Sequence, residues 1–101
     1  MTRSDVTPIP TAAIADAAVR LQIDVPCGPS TMRMLGAGHP VAGPALPVTH
    51  EGSVDAFLAV IDDAAPGSVL VVDNGGRDDE ACVGDLIALE AQRAGLAAIV
   101  I

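Results

Sequence analysis

Lysine, tryptophan and tyrosine are absent from this chain of 101 residues, and Phe57 is its single phenylalanine. Without a lysine amine there is no Schiff-base catalysis, so a carbonyl substrate would have to be polarised by hydrogen bonds or a metal ion. With so little aromatic surface, burial must come from Ala, Val, Leu and Ile, and apolar burial stabilises by roughly 25 cal/mol per Å². A lone chain of this make-up is expected to be marginal and to need a partner subunit or more chain. Positive charge is scarce too: five arginines are scattered among thirteen acidic residues, for a net charge of −8. That balance argues against nucleic acid, which rewards a clustered basic face. No apolar run approaches the roughly 18 residues of a membrane span. The opening Met1-Thr2-Arg3-Ser4-Asp5 lacks the apolar stretch of a secretory leader. The default expectation is a cytoplasmic protein without a membrane partner.

Further absences narrow the chemistry. Cys27 and Cys82 are far apart and neither belongs to a CxxC pair, so both read as small buried or half-buried thiols. There is no GxGxxG and no phosphate-binding GxxxxGKS/T, which leaves nucleotide binding unsupported. No serine sits in a GxSxG setting, so nucleophilic hydrolysis is unsupported as well.

What is present reads as an α/β chain. Thr11 is the expected N-cap of an amphipathic helix over 12–22, with Ile14, Ala17, Ala18 and Leu21 forming its core face. From Asp24 to Pro40 glycine and proline abound without periodicity, which predicts a long loop on a surface or interface. Pro44 and Pro47 confine Val41 to Thr49 to an edge or bulged strand. Ser53 is placed to cap a second helix over 54–64, with Val54, Phe57, Leu58 and Ile61 on one face. After the Pro66-Gly67 turn, Ser68 to Val72 is uniformly apolar, as expected for a strand covered on both faces. Gly84 to Ala94 reads as a helix closed by Gly95, and Leu96 to Ile101 as another apolar strand. Strand, helix and strand make a right-handed βαβ unit with parallel, adjacent strands.

Two places can carry chemistry. Asp73 ends the apolar strand and precedes Asn74-Gly75-Gly76, so its carboxylate belongs at the sheet's carboxyl edge. It reads either as a turn aspartate bonded to its own backbone or as part of a site that Gly75 and Gly76 open to a ligand. The stronger feature is Gly84-Asp85-Leu86-Ile87. If Gly84 is near the N-cap, the amides of Asp85, Leu86 and Ile87 lack intrahelical partners and suit a substrate carboxylate. Asp85 alone could equally be a first-turn residue complementing the helix dipole. Asp78, Asp79 and Glu80 read as a solvated lead-in rather than metal ligands, and their spacing matches no EF-hand loop. His39 and His50 have no second His or Cys at ligand spacing, which favours solvent-facing or structural roles.

These segments, taken in order, resemble a known family. Thr11-Ala-Ala-Ile-Ala-Asp16-Ala, Val41-Ala-Gly-Pro-Ala45, Pro66-Gly-Ser-Val-Leu-Val-Val-Asp73-Asn-Gly-Gly76 and Gly84-Asp-Leu-Ile87 resemble the RraA-like proteins. That family includes the regulator of ribonuclease activity A and the class II 4-hydroxy-4-methyl-2-oxoglutarate/4-carboxy-4-hydroxy-2-oxoadipate aldolases. The resemblance implies a swivelling β/β/α domain, trimers, and a site between subunits. It also implies that residues 1–101 are a single domain, incomplete at its C-terminus and cut after the βαβ unit. The aldolases carry an Asp followed by an Arg-Asp pair, farther downstream than the residues left between Asp85 and Ile101. By resemblance Asp85 is that first aspartate and orients or activates a water, while Gly84 to Ile87 bind the carboxylate of a pyruvate-like moiety. The Arg that holds substrate and the Asp that binds Mg²⁺ or Mn²⁺ are expected beyond Ile101, as is a neighbouring subunit's acidic residue.

The implied activity is metal-dependent aldol cleavage or oxaloacetate decarboxylation releasing pyruvate, inactive or weak in this short chain. A divalent cation stabilises a pyruvate enolate without a lysine, which agrees with the composition. The alternative within the family is a non-catalytic module that regulates a ribonuclease, for which an acidic surface suits a basic partner. A third reading is an unrelated βαβ fragment with no site.

Overall fold

The computed structural model describes residues 7–36 and 38–101. The opening five residues read above, and Ala37 within the long loop, lie outside the described residues. The elements are α1 (Thr11–Leu21), β1 (Ala45–Thr49), α2 (Asp55–Asp62), β2 (Val69–Asp73), α3 (Asp85–Arg93) and β3 (Ala98–Val100). The three strands form one parallel sheet in the order β1-β2-β3. The fold is therefore mixed α/β, as expected. By contacts the chain divides into a unit containing Ala42–Ile101 and a unit of Pro8–Val41.

In the first unit two strand–helix–strand crossovers follow one another, β1-α2-β2 and β2-α3-β3, where the sequence had suggested only the second. Both helices lie on one face of the sheet. Phe57 and Ile61 of α2 and Ile87 and Ala91 of α3 close on Leu70 and Val72 of β2. Phe57 and Leu70 are 0% exposed, so these two side chains form the centre of the core. The expectation that β2 is covered on both faces is corrected here. Leu70 and Val72 are buried, but Val69 and Val71 on the opposite face are only half-buried. The reason is topological: the helices of both crossovers, α2 and α3, pack on the face that carries Leu70 and Val72.

Local chemistry explains where the elements stop. Pro47 sits inside β1 on an edge of the sheet, as predicted. The Pro44 carbonyl accepts from Val69 N–H and His50 N–H donates to the Asp73 carbonyl. By the alternation of a parallel ladder, the Pro47 nitrogen therefore faces away from β2, where it needs no partner. Ser53 Oγ accepts the Asp55 N–H at 3.2 Å, but the N-cap of α2 is Val54 and not the expected Ser53, and the Val54 carbonyl accepts from Phe57 and Leu58. Helix α3 ends in a Schellman motif. Leu96 N–H bonds the Ala91 carbonyl and Gly95 N–H that of Gln92, with Gly95 at φ 78°. A Cβ at Gly43 would collide with the Gly67 carbonyl oxygen, so that position requires glycine.

The Pro8–Val41 unit holds one helix and no strand among its described residues. Two expectations are corrected in it. Thr11 is the first helical residue, not the cap: Pro10 holds that position, and its carbonyl accepts from Ala13 and Ile14. The apolar stripe of α1 is no core face either, since α1 has no buried residue. Ile14, Ala17, Ala18 and Leu21 line a shallow apolar groove of about 270 Å³ with Ile9 and Ile23. The predicted loop after Asp24 is present and carries no helix or strand in its described residues.

Candidate functional site

Parallel strands send their carboxyl ends to one edge, and the loops leaving β1 and β2 meet there. Thr49 and Asp73 are register partners at the ends of their strands. The next residues, His50 and Asn74, are joined by a hydrogen bond of 2.8 Å between His50 Nδ1 and Asn74 Oδ1. The His50 ring stacks on Phe57 with centroids 5.4 Å apart. His50 is thus a structural histidine, within the roles expected for it.

Asp73 is exposed, and its Oδ1 accepts the Gly75 N–H at 2.8 Å. This is the turn aspartate of the simpler reading, and Gly75 and Gly76 at φ 67° and 70° supply the left-handed backbone that the turn needs. Arg77 closes the same loop. Its guanidinium pairs with Asp79 at 3.1 Å and with Glu80 at 2.7 Å. The hydrogen bond to Asp79 and then the charge of Glu80 raise its pKa above the usual arginine value. Asp79 and Glu80 are therefore occupied by a cation of the chain itself. Among the described residues no group of three or more His, Cys, Asp or Glu could hold a metal ion.

The head of α3 has a different character. Gly84 is the N-cap in an extended conformation, and no side chain caps the helix. The Gly84 carbonyl accepts from Ala88 N–H at 3.1 Å. The amides of Asp85, Leu86 and Ile87 precede that first helical bond and have no acceptor among the described residues, while the positive end of the helix dipole adds to them. Gly84 has no conformational need to be glycine: its φ is −120°, and a Cβ there would meet nothing within 4 Å. Asp85 and Leu86 are exposed and Ile87 is buried in the core, which fixes the helix beneath the free amides.

Asp85 opens a groove of about 530 Å³ that runs between α3 and β3, along Ala88, Leu89, Gln92, Leu96 and Ile99. Asp73 instead borders a second groove of about 540 Å³ on the face of the sheet opposite α2 and α3, with Pro47, Thr49 and Val71. The structure therefore brings Gly84, Asp85, Leu86 and Ile87 together as consecutive residues of one helix start. It does not bring Asp73, Gly75 and Gly76 into that groove. The link between His50 and Asn74 escaped the sequence reading, although the strand register, once known, places these residues side by side.

Near this edge, burial and then the charge of Glu80 hold the Cys82 thiol above its ordinary pKa. Both cysteines are free. No helix among the described residues is long and apolar enough to cross a membrane.

A family model described as RraA-like, Aldolase/RraA, matches residues 11–101. No curated protein and no solved structure matches the chain.

Proposed function

The chain belongs to the RraA-like family, and from that premise we propose that it contributes the carboxylate-binding part of a metal-dependent aldolase or decarboxylase of small 2-oxo acids. The family holds both aldolase/decarboxylase members and ribonuclease regulators, and its members are commonly oligomeric. The observation that carries the enzymatic reading is the open head of α3. Three amides with no acceptor among the described residues stand behind a glycine at φ −120°, where a Cβ would meet nothing within 4 Å. A substrate carboxylate accepts from the amides of Asp85, Leu86 and Ile87, and Gly84 lets it approach without a side chain in the way.

Asp85 stands at the edge of this cradle and acts through a water. In aldol cleavage the bond between the carbon next to the 2-oxo group and the hydroxyl-bearing carbon breaks, and its electron pair becomes the pyruvate enolate. The hydroxyl proton of the other fragment leaves through the water held by Asp85, and a proton returns to the enolate carbon. In oxaloacetate the same electron pair is released when carbon dioxide departs. Class II chemistry also calls for Mg²⁺ or Mn²⁺. No group of three or more ligating side chains stands among the described residues; by the family resemblance the metal's ligand and the substrate-holding Arg would come from an Arg-Asp pair beyond Ile101, in a trimeric assembly.

Titration of the ¹⁵N-labelled chain with pyruvate tests the cradle. We expect shifts concentrated at Asp85, Leu86 and Ile87. In Gly84→Val these shifts should be lost, at a stability cost of no more than about 1 kcal/mol for the poorer cap. Shifts that persist in Gly84→Val, or none in the wild type, would overturn the cradle. The second reading, a regulator that binds a basic ribonuclease surface, is favoured by the net charge of −8. It gains if pyruvate leaves these amides untouched.

A further inference from the structure

We propose that His50 is a positioning residue for the loop between β2 and α3, holding Asn74 through a hydrogen bond from its Nδ1–H. Asn74 Nδ2 lies 3.0 Å from the Arg77 carbonyl oxygen. That oxygen can only accept, so the atom facing it is the amide nitrogen, and Asn74 Oδ1 remains as an acceptor. His50 Nδ1, 2.8 Å from Oδ1, must therefore carry a proton. The neutral imidazole is fixed as the Nδ1–H tautomer, with Nε2 bare.

The ring is itself held. It stacks on Phe57, which is 0% exposed, so α2 and the core grip Asn74 through one imidazole. Beyond Asn74 the contacts continue. Arg77 N–H donates to the Asn74 carbonyl at 3.2 Å, and the Arg77 side chain reaches Asp79 and Glu80. Glu80 Oε1 in turn lies 3.6 Å from where a Cβ of Gly52 would stand, two residues after His50. The loop leaving β1 and the loop leaving β2 thus approach at both ends of a short stretch. Arg77 itself is exposed, and its pairs are individually weak. The half-buried bond from His50 to Asn74 is the firmer tie.

The loop held in this way leads into Gly84. Its effect on the site rests on the reading of Gly84 to Ile87 as a carboxylate cradle: a loosened loop spreads the positions of the three amides and weakens binding. The test compares three chains by amide hydrogen exchange and pyruvate titration, both followed by NMR. These are the wild type, His50→Gln, which keeps a donor without the ring, and His50→Phe, which keeps the ring without a donor.

In the wild type the imidazole should carry its proton on Nδ1. In His50→Phe the amides of Gly75 and Arg77 should exchange about fivefold faster, the equilibrium factor of one neutral hydrogen bond, while those of Leu70 and Val72 stay unchanged. His50→Gln should stay near the wild type, and pyruvate affinity should follow the same order. Wild-type exchange in His50→Phe, or an Nε2–H tautomer, would overturn the tether. Equal acceleration in both variants would also overturn it, because ring packing would then hold the loop. Wild-type amides at Asp85 to Ile87 that ignore pyruvate would overturn the cradle and the positioning role resting on it, while the exchange rates judge the tether separately.

Discussion

Helices α1 and α2 each follow a stripe of four apolar residues at helical spacing, and they end differently. In α1, Ile14 is 39% and Leu21 67% exposed, and no residue is buried. In α2, Phe57 and Ile61 are 0% and 6% exposed. The difference comes from connection. Helix α2 joins two adjacent parallel strands, so its short crossover has to lie against the sheet, and Phe57 and Ile61 of its stripe meet Leu70 and Val72 while Val54 and Leu58 stay exposed. Among the described residues helix α1 joins no pair of strands, and its stripe meets residues of its own Pro8–Val41 unit, such as Ile9 and Ile23. Periodicity specifies that one face of a helix is apolar. It does not specify what covers that face.

The comparison breaks most sharply at Phe57. Phe57→Ala should cost about 3–5 kcal/mol, because it empties the centre of the core and removes the surface on which His50 stacks. Urea denaturation of the chain measures this. A loss below 1 kcal/mol would mean that the core is not formed as described.

The cysteines sharpen the contrast chemically, since Cys27 lies in one unit and Cys82 in the other. Cys82 is half-buried and its thiol is held above the ordinary range by burial, then by Glu80. Alkylation near neutral pH should label exposed Cys27 about tenfold faster than Cys82, because the thiolate is the reacting form. The sign for stability follows: the folded state holds the Cys82 proton more tightly than the unfolded chain. That contribution is present below the ordinary thiol pKa and is lost as pH rises through the folded value. Faster labelling of Cys82 in mass spectra of the digested protein would contradict the described burial.

The smallest effect belongs to α1. Leu21→Ser should change stability by less than about 0.5 kcal/mol, as an exposed substitution does. A loss comparable to that of Phe57→Ala would show that the α1 stripe is covered in solution.

Much of this architecture was legible in the residues. The prolines at 44 and 47 announced the edge strand, Gly95 the end of α3, and the apolar runs β2 and β3 with their parallel pairing. Gly84 was legible as an N-cap because the apolar periodicity begins just after it. Three features were not. The half-buried state of Val69 and Val71 depends on both crossovers choosing the same face of β2, which a uniformly apolar strand does not encode. Pro10 displaced Thr11 as cap through its backbone carbonyl, where the sequence pattern looked for a side-chain oxygen. The bond from His50 to Asn74 spans 24 residues and depends on the strand register that pairs Thr49 with Asp73.

The most direct measurement is Mg²⁺-dependent pyruvate release from oxaloacetate by the longest product of the gene, comparing wild type with Asp85→Ala. The proposed function predicts turnover in the wild type and a fall of about 100-fold or more in the variant, the scale of a lost acid–base group, with folding retained. Undiminished release by Asp85→Ala, or none from the wild type, would contradict it.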